Sequence, residues 1–126
     1  MRRAIRDRLI DTVHEVHDRV YEPHMAGPNV MKPYIVVKMG VESPAGVRNI
    51  FTKFVTVWVY TERTSFNELD KLVTVVRNTL NHVTLETVDG FKFELRYIGP
   101  VGEDYYDTEW QALGQGLRFE VPVIYE

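Results

Sequence analysis

The chain has no cysteine, and none of its apolar runs approaches the roughly 20 residues needed to span a bilayer. The first absence excludes a disulfide framework and any zinc site built on thiolates. The second argues against a membrane-spanning helix. The opening residues MRRAIRDRLID carry arginines with no apolar core behind them, so they do not read as a secretory signal. No serine sits in a Gly-x-Ser-x-Gly elbow, and the missing thiol leaves nucleophilic catalysis without an obvious centre. Gly114-Gln115-Gly116 is not followed by the helix that a phosphate loop requires, and reads as a flexible lead-in to the last strand. What remains is an ordinary globular composition, 44% hydrophobic and 26% charged over 126 residues. That length predicts one domain, burying about two-thirds of the surface exposed by the unfolded chain.

A net charge of −3 argues against gripping nucleic acid through overall charge. The distribution is uneven. Arg2, Arg3, Arg6 and Arg8 face only Asp7 in the first eight residues; Glu103, Asp104, Asp107, Glu109, Glu120 and Glu126 face only Arg118 from residue 100 onward. Two solvated faces would account for this. So would a head-to-tail contact between identical subunits, because complementary, non-identical patches can close into a ring.

The chain is organised around residues 50–82. IFTKFVTVWVYTE is rich in β-branched and aromatic residues, with Phe51, Val55, Val57 and Val59 on one face and Phe54, Trp58 and Tyr60 on the other. Two apolar faces predict a central strand covered on both sides. Ser65 and Glu68 form a Ser-x-x-Glu capping box that starts a helix. Phe66, Leu69, Leu72, Val73, Val76 and Leu80 then recur at helical spacing, opposite Asn67, Asp70, Lys71, Thr74, Arg77 and Asn78.

Around this unit, Ile5, Leu9, Val13, Val16 and Val20 predict a first helix over 3–21, and Pro23, Gly27 and Pro28 a loop over 22–32. Residues 34–41 read as a strand that pairs through a 42–49 turn with the central one. Residues 84–88 and 91–98 read as a hairpin about Asp89-Gly90, with Phe91, Phe93, Leu95 and Tyr97 on one face and Lys92, Glu94 and Arg96 on the other. Residues 101–116 read as a long acidic and aromatic loop. Residues 117–125 read as a last strand, where Pro122 points to an edge or to a position turned away from a partner. The expected class is α+β: a mixed, mainly antiparallel sheet with two helices packed on one face, in the order α-β-β-α-β-β-β.

No cluster of polar residues specifies chemistry. His14, Glu15, His17 and Asp18, with His24 nearby, have the look of metal ligands, but the spacing is not His-Glu-x-x-His and no convergent third ligand is identifiable. They read as residues of a polar helix face. Asp104, Asp107 and Glu109 could do acid–base work only in a pocket that separates their pKa values, and in an aromatic loop they read better as a contact surface. No catalytic, cofactor or metal residue is assigned.

In order and texture the chain resembles the tail-terminator, or tail-to-head joining, proteins of tailed bacteriophages. The likeness rests on Pro33-Tyr34 opening the first strand after a helix and a Pro-containing loop, and on FVTVWVYTER before the helix FNELDKLVTVVRNTLNH. It rests also on the short hairpin, the aspartate-rich loop and the closing segment Gly114 to Phe119. The resemblance implies a non-enzymatic virion protein that caps the tail tube as a ring, typically a hexamer, ends tube growth and meets the head connector. Its partners would be copies of itself, the major tail tube protein and a head connector or completion protein, with DNA passing the lumen unbound and no membrane involved; its site would be the head-proximal end of the tail, after assembly in the host cytoplasm. A surplus of carboxylates on the inner wall would let DNA slide. Candidate interface residues are Arg2, Arg3, Arg6, Arg48, Asp104, Tyr105, Tyr106, Asp107 and Trp110, with the 42–49 turn and the 101–116 segment as contacts to tube or connector. The alternatives are another neck or head-completion component, and a small-ligand-binding domain with Trp58, Tyr60 and Tyr97 lining a pocket between sheet and helix.

Overall fold

A computed structural model describes residues 2–16, 19–21, 32–44, 50–62, 66–87, 90, 92–107 and 112–124; at 2, 15, 41–44, 50–52, 102–107, 112 and 122–124 it describes the backbone alone. The elements are α1 (Arg2–Thr12), a 3-10 turn (His14–Val16), β1 (Val20–Tyr21), β2 (Tyr34–Pro44), β3 (Ile50–Thr61), α2 (Phe66–Leu80), β4 (Val83–Glu86), β5 (Lys92–Asp107) and β6 (Ala112–Ile124). The strands form one sheet in the order β1-β2-β3-β6-β5-β4. Only β1 and β2 run parallel; every other pairing is antiparallel. The class is α+β, as the sequence predicts.

The long apolar strand is central. β3 pairs with β2 from Tyr34↔Tyr60 to Pro44↔Phe51, and with β6 along its whole length, from Ile50↔Ile124 to Thr61↔Leu113. Val55, Val57 and Val59 point into the main core, where they meet Leu69, Leu72, Val76 and Leu80 of α2 and Ile5 and Leu9 of α1, all buried. Full burial of each such side chain contributes about 1.5–3 kcal/mol. The opposite face is not covered by a helix among the described residues. Tyr34, Val36 and Tyr60 are buried there in a smaller cluster joined by Tyr21 and Trp58, with the Tyr34 and Tyr60 rings stacked at 5.0 Å. Both faces of the central strand are therefore buried, as predicted, one beneath the helices and the other within the aromatic patch.

Several expectations need correction. The first helix ends at Thr12 rather than reaching residue 21, and the chain passes through the 3-10 turn into β1. Its apolar stripe nevertheless serves one purpose, because Ile5, Leu9, Val13, Val16 and Val20 all enter the core. Three conformations thus share a pattern that suits one helix. The predicted 101–116 loop is mostly strand: β5 runs on to Asp107 and β6 begins at Ala112, with register shifts between Tyr97 and Gly99 and between Val101 and Tyr105. β6 is interior, not an edge; the β5 ladder stops at Arg96↔Glu120, two residues before Pro122, which spares Pro122 a partner on that side. On α2, Phe66 is 45% exposed, while Thr79 joins the buried face. Ser65 of the capping box lies outside the described residues; α2 begins at the next residue, with Glu68 in its first turn.

Candidate interaction surface

The basic start of the chain lies across the helical face of the sheet, where α1 reaches β1, β2 and β4. In α1 the exposed Arg3 lies 3.9 Å from Asp7, four residues on, and Arg6 lies 4.0 Å from the same carboxylate. Arg6 Nε also donates to the Val20 carbonyl of β1 at 3.3 Å. Arg8 Nε donates to the Thr79 carbonyl at 3.3 Å, close to the negative end of the α2 dipole. Arg19 Nε donates to the Pro33 carbonyl at 3.0 Å, just before β2. Arg6 thus ties α1 to β1, Arg8 ties it to the end of α2 that leads into β4, and Arg19 ties the approach to β1 to the start of β2.

The acidic stretch belongs to the side of the sheet away from β1. Tyr105, Tyr106 and Asp107 pair with Gly114, Leu113 and Ala112 as the last part of β5. β5 stands four strand positions from β1, a lateral separation of roughly 19 Å. Asp104 lies on the same stretch, within the register shift that precedes Tyr105. The structure thus places Arg6 at β1, four strands from the backbone of Asp104, Tyr105, Tyr106 and Asp107, and pairs Arg3 within α1. Arg48 and Trp110 lie outside the described residues, as does the side chain of Arg2.

The two candidate contact segments also separate along the strands. Pro44 and Ile50, which flank residues 45–49, are at one end of the β2–β3 pair. Asp107 and Ala112, which flank residues 108–111, are at the end marked by Thr61↔Leu113. The twelve residues of β3 set these ends roughly 36 Å apart.

The outer edges of the sheet are only partly closed. β1 covers Ile35 and Val36 of the eleven-residue β2, and β4 covers Lys92 to Leu95 of the sixteen-residue β5. Beyond β4 the ladder on β5 continues through a side chain, since the Tyr97 N–H donates to Asn81 Oδ1 at 3.0 Å. At the register shift that follows, Ile98 is 44% exposed.

A cleft of about 450 Å³ opens where the first turns of α2 leave the adjoining ends of β2 and β3. Pro33, Leu72 and Val75 give it an apolar lining, and Val75 is 36% exposed. Lys32 and Glu62 on the strand wall and Glu68 and Lys71 on the helix wall supply charge, none of it in an ion pair with another described residue. The buried Thr61 hydroxyl beside the cleft has no hydrogen-bond partner among the described residues. Sequence reasoning missed this cleft. Its lining comes from three separate segments, and the signal on α2, the row Glu68, Lys71, Leu72 and Val75, straddles the polar and apolar faces.

Trp58, Tyr60 and Tyr97 do not line a common pocket. Trp58 and Tyr60 belong to the aromatic patch, whereas Tyr97 packs edge-on against Phe119 at 5.6 Å on the helical side, with the Arg77 guanidinium 5.8 Å above its ring. Among the described residues there is no group of three or more His, Asp or Glu side chains able to hold a metal ion. His17, Asp18 and His24 lie outside them, as does the side chain of Glu15. No helix among the described residues is long and apolar enough to cross a membrane. Compared with known proteins, the chain matches no family model and no curated protein.

Proposed function

We propose that the chain is a structural, non-enzymatic subunit of a tailed bacteriophage, one that assembles into a ring on the head-proximal end of the tail tube, ends tube growth and offers the surface that meets the head connector. The observation that carries this reading is the separation of opposite charges onto opposite sides of one sheet. Arg6 of α1 bonds the Val20 carbonyl of β1, and the acidic end of β5 lies four strands from β1. A subunit with unlike sides joins its neighbours head to tail, the arrangement that closes into a ring. The placement of 45–49 and 108–111 at opposite ends of the strands supports the same reading. A ring at a junction needs two different faces, one for the tube and one for the connector.

The test is tail length. In a phage that encodes this chain, its deletion should give overlong tails that never join heads, and the purified protein added back should cap them. Tails of normal length beside unjoined or leaky heads would instead indicate a head-completion role. In solution, light scattering across concentration should find a ring whose mass falls toward the monomer as salt rises, since contacts between exposed charges are screened within about 10 Å at 0.1 M salt.

A further inference from the structure

The two sides of the molecule differ in shape as well as charge, and the shapes correspond. On the β5 side Ile98 is a large aliphatic side chain left 44% exposed. It sits where Tyr97 pairs with Phe119 but Gly99 pairs with Arg118, so it is the extra residue of a β-bulge. Bulges on partly uncovered strands aim a side chain out of the regular alternation. On the β2 side, beyond two intervening strands, the cleft under α2 presents Pro33, Leu72 and Val75. The charges around the two features also correspond. Arg96, exposed and two residues before Ile98, bonds Glu94 with one nitrogen at 3.4 Å and keeps other donors available. Glu62 and Glu68 at the cleft make no ion pair with a described residue.

We infer that copies of this chain pack head to tail with Ile98 of one copy seated in the cleft of the next, and with Arg96 of the first directed at Glu62 and Glu68 of the second. The inference rests on the ring reading above and names the surfaces that build the ring. An exposed apolar knob seated in a cleft elsewhere on the next copy makes a heterologous contact. The contact buries an aliphatic anchor at its centre and leaves the charges at its rim, the division seen at interfaces where a few residues dominate the affinity.

The absence of native cysteine makes the test direct. Ile98→Cys and Val75→Cys proteins, mixed and treated with a short bis-maleimide, should form an inter-chain cross-link between the two variants. Neither variant alone, nor Ile98→Cys mixed with Asp70→Cys as an exposed control on α2, should do so to a comparable extent. Ile98→Asp should weaken assembly at least about tenfold while leaving circular dichroism and the melting temperature at wild-type values, because the side chain is already half exposed. Glu68→Lys should weaken it less, and should recover part of the loss when mixed with Arg96→Glu. An Ile98→Asp protein that assembles like wild type overturns the inference and leaves the ring reading standing. So does a cross-link no stronger than the control. A wild-type protein that stays monomeric at its highest attainable concentration overturns the inference as well. Binding of an unrelated small molecule in the cleft, with Ile98→Cys remaining unlinked, would assign the cleft to a ligand instead. Normal tail length on deletion would remove the terminator reading without touching the cross-link result.

Discussion

Trp58 and Gly116 face one another directly across β3 and β6, and a Cβ on Gly116 would stand 2.9 Å from Trp58 Cζ3 and 2.9 Å from Val101 Cβ. The next pair on the same face, Tyr60↔Gly114, repeats the combination of a large ring and a bare backbone. A glycine in a strand costs conformational entropy, and an aromatic neighbour laid over it restores packing that the missing side chain cannot provide. Both glycines are buried. Gly116→Ala should therefore destabilise the protein by about 1–3 kcal/mol through overpacking, measured as a lower urea midpoint. Lys92→Ala, at an exposed position of β5, should stay within about 0.5 kcal/mol of wild type.

Thr61 offers the opposite opportunity. Its hydroxyl is buried and unpartnered among the described residues, so the folded state bears the cost of taking it out of water. Thr61→Val keeps the shape and removes the polar atom. Thermal unfolding should show a higher melting temperature, equivalent to about 1 kcal/mol; a lower one would mean that the hydroxyl has a partner in solution.

Asn81 stands in for a strand. Just before β4 begins, His82 N–H donates to the Leu95 carbonyl at 2.8 Å and Asn81 Oδ1 accepts from the Tyr97 N–H at 3.0 Å. Asn81→Ala should cost about 1–2 kcal/mol. Amide exchange at Tyr97 should rise more than at Leu95, whose ladder does not depend on that side chain.

Two neighbouring members of the apolar stripe on α2 should behave differently. Leu69 is fully buried, and Leu69→Ala should cost about 2–5 kcal/mol. Phe66 is 45% exposed, and Phe66→Ala should cost well under half as much in a denaturant titration.

Much of the fold was legible because periodicity reports burial. Val55, Val57 and Val59 alternate, Leu69, Leu72, Val76 and Leu80 recur at helical spacing, and both sets meet in the core. Phe93 and Leu95 likewise fall on the inner face of β5. Misreadings came where tertiary context overrode local preference. Gly114 and Gly116 suggest flexibility until they are paired with Tyr60 and Trp58 of β3, with the Trp58 ring against Gly116. The acidic residues between Val101 and Asp107 have low strand propensity, yet the backbone there pairs with β6 on one side. Val13 to Val20 keep helical spacing through a 3-10 turn and a strand, because spacing records which residues are buried and not the path between them. For the candidate surface, opposite charge was visible in the chain, but its assignment to opposite sides needs the strand order. The cleft is built from residues distant in sequence and has no linear signature.

The fully paired β3–β6 ladder has a consequence for how such a subunit could diverge. It behaves as a ruler between the two ends of the molecule, and its smallest usable graduation is two residues. Adding or removing one residue in β3 would turn every side chain beyond the change to the other face, carrying valines from the helical core to the aromatic patch. Spacing between the end segments can therefore change only by paired insertions in both strands, in steps of roughly 7 Å. The segments at either end can vary freely within that fixed calibration.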